Sequence, residues 1–203
     1  MTPLDHCALL FAVIFEPGDW IEFRCHNQSK PGAVSHWIKY SDDALQQIAP
    51  TLDRLNERGY SIYFGANPRT RNGGKTAKDV ECARCVFVDI ENTTPAAITR
   101  LLKDAGDYGL SVTEQPCAIV NSGGGVHLWW RSEQVYSSDQ LTNWRERQQD
   151  VIRLMTEIIA GSGSTAKVDG CIHDPPRIMR APGWVNCKVE RNGARATLAH
   201  IDP

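Results

Sequence analysis

No stretch of this 203-residue chain is apolar for the roughly 18–20 residues that a membrane-spanning helix needs. Cys7 to Phe15 is far too short, and it lacks a basic leader and a small-residue cleavage site. Neither a membrane span nor a secretory signal is therefore expected. There is no internal repeat and no low-complexity linker. Positive charge is not in excess either: 22 Lys and Arg face 24 Asp and Glu, for a net charge of −2. That balance argues against coating duplex nucleic acid by bulk charge, but it leaves room for local basic grooves. A disulfide framework is missing too, because the seven cysteines are odd in number and scattered. They read as reduced thiols of a cytoplasmic protein. Length and composition fit one soluble domain, residues 1–203, or two small lobes sharing a core. The chain stops just behind a strand, at Ile201-Asp202-Pro203, which suggests the N-terminal part of a longer protein.

Strand-like and helix-like periods alternate along the chain. Leu4 to Phe15, apolar almost all round, reads as a buried helix or, at this length, a strand. Trp20 to Arg24 and Val34 to Tyr40 read as strands. Ser41 reads as an N-cap, with Leu45, Ile48, Leu52 and Leu55 at helical spacing, Gly59 as the stop, and Pro50 expected to kink or divide the helix. Tyr60 to Gly65 and Arg84 to Glu91 are further strands. Thr94 and Pro95 open a helix that turns Ile98, Leu101 and Leu102 to the core. Cys117–Val120 and Val126–Arg131 form a hairpin, and Asp139–Ala160 a long helix buried through Leu141, Trp144, Val151, Met155 and Ile158. Short strands are expected at 177–180 and 195–201. Such alternation, with hairpins, predicts an α+β fold of mixed sheets covered by helices.

Three separated segments carry the chemistry. On Val86-Phe87-Val88-Asp89-Ile90-Glu91 the two carboxylates share one face of an apolar strand. Side by side they repel and lose solvation, and a bound cation relieves both costs. Hard oxygen ligands suit Mg²⁺ or Mn²⁺. In Ser122-Gly123-Gly124-Gly125-Val126-His127, three glycines let backbone amides approach an anion, with His127 and Trp129 on the next strand. Asp169 then precedes a run containing Arg177, Arg180, Asn186 and Lys188, cations spaced for phosphate contacts. A second basic cluster, Arg69, Arg71, Lys75 and Lys78, occupies a polar loop. Together these groups can hold divalent metal and a triphosphate, which points to nucleotidyl transfer.

In order and spacing the segments resemble the archaeo-eukaryotic primase superfamily, in particular the small primase-polymerases of phages and plasmids. Asp89-Ile90-Glu91 is similar to that family's Asp-x-Asp/Glu strand, and Ser122 to His127 to its Ser-Gly-x-Gly-x-His hairpin. Asp169 with Arg180, Pro182, Gly183, Asn186 and Lys188 is similar to its third motif, although Asp174 lies close enough to replace Asp169. Tyr63 to Arg69 and Glu16 to Trp20 also match in character. The resemblance implies two packed α/β lobes, one on an RRM-like antiparallel sheet, with the active site between them. It implies two metal ions at Asp89, Glu91 and Asp169, and nucleotide phosphates held by Ser122, the glycine turn and His127. Arg177, Arg180 and Lys188 would touch phosphates of the nucleotide or of the template strand. Arg69, Arg71, Lys75, Lys78 and Asn186 would meet nucleic acid. Nucleoside triphosphates, single-stranded DNA template and primer would be the partners, with a fused or associated helicase as a further one.

Two other classes remain open on the sequence. One is a non-catalytic module binding single strands on an RRM-like sheet, through exposed Trp129 and Trp184. The other is a metal-dependent phosphoesterase or nuclease. Gly73-Gly74-Lys75-Thr76 is not a phosphate-binding loop, because Arg69 stands where its first glycine must be. Cys82 and Cys85 have no second pair to complete a zinc site and read as buried thiols.

Overall fold

A capping box starts the chain's first helix. Thr2 Oγ1 accepts from the Asp5 amide at 3.2 Å, and the Asp5 carboxylate accepts from the Thr2 amide at 2.6 Å. In this computed structural model, which describes residues 1–105, 115–191 and 193–202, the elements run as follows. They are α1 (Pro3–Ile14), β1 (Trp20–His26), β2 (Ala33–Lys39), α2 (Asp42–Glu57), β3 (Ser61–Gly65), β4 (Cys82–Glu91) and α3 (Pro95–Ala105). Then come β5 (Ala118–Asn121), β6 (Gly125–Ser137), α4 (Leu141–Gly161), β7 (Lys167–Val168), β8 (Ile178–Arg180) and β9 (Thr197–Ile201). No helix among the described residues is long and apolar enough to cross a membrane.

The strands form two antiparallel sheets, one ordered β2-β1-β3-β8 and the other β7-β4-β6-β5-β9, so the fold is α+β. Ile21, Phe23 and Cys25 of β1 alternate into the core with Ile62 and Phe64 of β3. Phe11 of α1 lies 4.9 Å from Phe64 and 5.8 Å from Phe23, ring centre to centre. Phe64 stacks in turn on Trp129 of β6 at 5.8 Å. One hydrophobic core thus joins both sheets. The opposite face of the first sheet carries Glu22, Arg24 and His26 of β1 and Tyr63 of β3, with Trp37 of β2 opposite Glu22.

Helix α4 closes the open side of β4. Gln148, fully buried, accepts from the Phe87 amide at 3.0 Å and donates back to the Phe87 carbonyl. Trp144 Nε1 donates to the Cys85 carbonyl at 2.8 Å. These side chains replace the strand partner that β4 lacks there. Gln148 is therefore structural, and the buried stripe is Trp144, Gln148, Val151, Ile152, Met155 and Ile159; the expected Leu141 and Ile158 are only half-buried. The helix begins at Leu141, after a 3-10 turn over Ser138–Gln140.

Pro50 does not divide α2, which runs unbroken from Asp42 to Glu57. The proline is exposed, so its ring and the backbone group it leaves unpaired lie on the solvent side. Ser41 caps the helix through the Ala44 amide at 3.1 Å, and Thr94 caps α3 through the Ala97 amide at 3.3 Å. Strands β1 and β6 extend beyond the expected ends, to His26 and Ser137.

Candidate active site

Strand β4 is buried on both faces from Cys85 to Val88, and beyond that Asp89 is half-buried and Glu91 exposed. There it meets β6 in register, Asp89 opposite His127 and Glu91 opposite Gly125. On its other side β7 pairs Val168 with Ile90 and Lys167 with Glu91. The Asp169 amide then donates to the Asp89 carbonyl at 2.9 Å. Pairing of three strands so brings Asp89, Glu91, His127 and Asp169 to one end of the second sheet.

These four residues line a single cleft of about 320 Å³ between the two sheets. Ser122, Gly124, Arg177, Arg180, Asn186 and Lys188 share it. So do His26 and Tyr63 from the first sheet and Arg191 from the C-terminal segment, three residues the motif reading did not assign. Their signal was weak in sequence: Tyr63 belongs to the Tyr63–Arg69 stretch, and Arg191 to the basic run after Lys188. Only β1–β3–β8 pairing brings His26 and Tyr63 beside Arg180.

The oxygen-rich side fits a hard divalent cation. Three carboxylates from adjacent strand ends line the cleft, and hard oxygen donors are what Mg²⁺ and Mn²⁺ select. The set is not a tight preformed cage: among the described residues, no three His, Cys, Asp or Glu side chains converge as one. Asp169 Oδ1 accepts from the Cys171 amide at 2.9 Å, which fixes its side chain. Asp174 does not line the cleft and is paired with Arg177 at 2.7 Å, so of the two acids Asp169 is the one at the cleft.

His127 and the cations form the other side. His127 Nε2 lies 3.7 Å from Asp89 Oδ1, while its Nδ1 is buried with no hydrogen-bond partner. Burial pushes its pKa below the ordinary imidazole value; Asp89 opposes that shift and Arg180 adds to it. Arg180 donates to the Tyr63 hydroxyl at 2.7 Å and packs 4.6 Å from the Tyr63 ring centre, leaving Nη1 buried and unpaired. Burial lowers its pKa too, against support from Tyr63 and Asp89. Two buried nitrogen-bearing side chains, each with an unpartnered atom, line one cleft, a setting suited to an anion.

The glycine turn differs from the amide nest expected. The Ser122 amide donates to the Gly125 carbonyl at 2.9 Å and the Gly123 amide to Asn121 Oδ1 at 3.0 Å, so both are spent within the turn. Gly125 is required by close approach, since a Cβ there would sit 2.1 Å from the Ile90 carbonyl oxygen. Gly123 and Gly125 therefore shape the turn, while Ser122 and Gly124 face the cleft.

Other assigned residues have different places. Arg69 is fully buried, 3.1 Å from Glu22, and donates to the Pro176 carbonyl at 3.0 Å; it cannot meet nucleic acid and instead anchors the 171–177 loop. Asn186 is buried, donating to the Ser122 carbonyl at 3.2 Å and accepting from the Lys188 amide at 3.2 Å, so it braces the third motif against the turn. Arg71, Lys75 and Lys78 are exposed, and Asp79 ties their loop together through Arg71, Lys75 and Thr76. Trp129 and Trp184 are buried, so neither offers the base-stacking surface expected of it. Cys82 and Cys85 are buried free thiols.

No protein-family model and no curated protein matches the sequence. Solved structures do match the fold. The AEP domain of the cyanophage S-2L primase-polymerase is 16% identical, with a TM-score of 0.62 over 98% of this chain and 90% of that one. The catalytic domain of primase RepB′ in complex with initiator DNA is 14% identical, with a TM-score of 0.63 over 99% and 86%. The polymerase domain of Mycobacterium tuberculosis ligase D in complex with DNA is 13% identical, with a TM-score of 0.54 over 97% and 79%. The chain has the fold of primase-polymerase catalytic domains.

Proposed function

We propose that this protein is a template-directed nucleotidyltransferase that starts or extends strands on single-stranded DNA. One observation carries the reading: the acids at the ends of β4 and β7 and the cations of the third motif line the same cleft. The neighbours in fold are a primase-polymerase, a primase bound to initiator DNA and a polymerase domain bound to DNA.

Asp89, Glu91 and Asp169 would hold Mg²⁺ or Mn²⁺, which, when bound, lowers the pKa of the attacking 3′-hydroxyl and offsets charge on the α-phosphate and leaving pyrophosphate. His127, neutral near pH 7 because it is buried, would donate a hydrogen bond to a phosphate oxygen. Arg180, packed over the Tyr63 ring and bonded to its hydroxyl, would supply fixed positive charge on the same side without reorganising. Arg177 and Lys188 flank it at the cleft. Ser122 and Gly124 would form the wall against which the triphosphate lies.

A path for the template runs over the polar face of the first sheet. From Tyr63 in the cleft it crosses Arg24, directly opposite on β1, to Trp37 on β2. Lys75 stands 5.2 Å over the Trp37 ring, with exposed Arg71 and Lys78 in the same loop. Half-buried aromatics bordered by cations suit a single strand.

The test is incorporation of labelled nucleotides on single-stranded DNA, with and without primer, in Mg²⁺ and in Mn²⁺. Strand growth with pyrophosphate release supports the reading. Degradation of the strand without synthesis would show a nuclease instead.

A further inference from the structure

Arg191 is the cation in this cleft that bridges its two halves. Its guanidinium lies over the glycine turn so closely that a Cβ on Gly124 would meet Cζ, Nε and Nη1 at 2.5–2.6 Å. Its Nη2 is 3.9 Å from Glu91 Oε1, beyond hydrogen-bond reach, with the two side chains 24% and 54% exposed. A pair so long and so wet is weak and readily exchanged. The other arginines of the cleft are held more firmly. Arg177 pairs with Asp174 at 2.7 Å and donates to the Cys171 carbonyl, and Arg180 is fixed on Tyr63. The backbone beneath Arg191 is well anchored: its amide donates to the Lys188 carbonyl at 3.0 Å, its carbonyl accepts from Ala194 at 3.0 Å, and Val189 is tied to Gln28 at 3.1 Å. A rigid base with a loosely paired guanidinium suits a group that changes partners.

Resting on the nucleotidyltransferase reading, we infer that Arg191 is a resident counter-ion of Glu91 that metal displaces and triphosphate then captures. In the metal-free protein it offsets the repulsion between Glu91 and Asp89. A divalent ion on Glu91 repels the guanidinium, which stays beside Gly124 and turns to the phosphates arriving there. Metal and nucleotide binding are thereby coupled through one side chain.

The coupling gives opposite signs for two ligands, which a merely structural residue would not. Binding of Mn²⁺ alone, and of a non-hydrolysable nucleoside triphosphate with Mn²⁺, is measured by calorimetry on the full chain, Arg191→Ala and Arg191→Lys. Arg191→Ala should bind Mn²⁺ alone about threefold more tightly, as a nearby like charge is removed. It should bind the triphosphate roughly tenfold more weakly, as a charge-assisted contact is lost. Arg191→Lys should lie between. Unchanged affinities, or weakening of both ligands together, overturn the inference while leaving the polymerase reading intact. Failure of the unaltered protein to bind either ligand overturns both. A second check does not depend on how well Arg191→Ala folds. In chelator, Glu91→Gln should tighten triphosphate binding more in the otherwise unaltered chain than when combined with Arg191→Lys. A cycle with no coupling between the two positions also refutes the exchange.

Discussion

The main-chain amide of Asp169 donates to the main-chain carbonyl of Asp89 at 2.9 Å. This bond extends the β4–β7 ladder by one residue and sets the third acid beside the first. The geometry of the acid cluster is thus fixed by backbone, and its side chains can be altered without moving the strands.

Asp89→Asn and Glu91→Gln should each lower strand synthesis roughly a hundred- to a thousandfold, through loss of an anionic metal ligand. Melting temperature should change little, because both side chains reach solvent at the strand end. Primer-extension rates with parallel thermal melts check this. Chelation of divalent ions should abolish synthesis in the unaltered protein.

Stability should fall in mild acid. His127 is buried, and its pKa in the folded protein is lowered by that burial. The unfolded chain therefore binds the proton first, and stability rises with pH between the folded value and the ordinary one, about 6.5. Its contribution is complete above that ordinary value and is lost as pH falls below it. His6 and His26 are shifted the same way, again chiefly by burial. In chelator, melting temperature should drop between pH 7.5 and pH 5.5, roughly one unit either side of that pKa. His127→Gln should flatten the slope.

The Glu22–Arg69 pair is buried on both sides, so Glu22→Gln leaves Arg69 without a carboxylate, whereas Arg69→Met leaves Glu22 paired with Arg24 at 2.7 Å. Glu22→Gln should cost about 3–5 kcal/mol, lowering melting temperature by roughly 10 °C, and Arg69→Met should cost less. Because Arg69 also holds the Pro176 carbonyl, Arg69→Met should raise the Michaelis constant for nucleotide by loosening the 171–177 loop. The double variant should lose less than the sum of the singles.

Replacing Arg71, Lys75 and Lys78 together by Ala should weaken single-strand binding and reduce its salt slope by about two. Nucleotide affinity should not change, as none of the three lines the cleft. Fluorescence anisotropy on an oligonucleotide at several salt concentrations measures both quantities.

Gly125→Ala should disrupt the hairpin, since its methyl would overlap the Ile90 carbonyl oxygen. Gly161→Ala, at the end of α4 with nothing within 4 Å, should instead stabilise by roughly 0.5–1 kcal/mol. Chemical denaturation separates the two.

Local signals were enough to read much of this protein. Alternation in Trp20–Arg24 and caps at Ser41 and Thr94 located strands and helices, because those signals involve neighbours within one turn or one pleat. The same logic placed Asp89 and Glu91 on one strand face and His127 just past a turn. What needed the folded chain were relationships between distant segments. Arg69 looks like a surface cation, and only Glu22 and the Pro176 carbonyl make it internal. Gln148 looks like a solvent residue on α4, and only the missing partner of β4 draws it inward. Asp169 was the acid assigned from sequence, with Asp174 close enough to replace it; β7 pairing puts the first in the cleft, and an ion pair with Arg177 holds the second. Short-range periodicity thus determined the elements and singled out most of the charged residues that line the cleft. Long-range strand pairing and burial decided which charges face the cleft, because hydration and partnering are set by what the rest of the chain brings alongside.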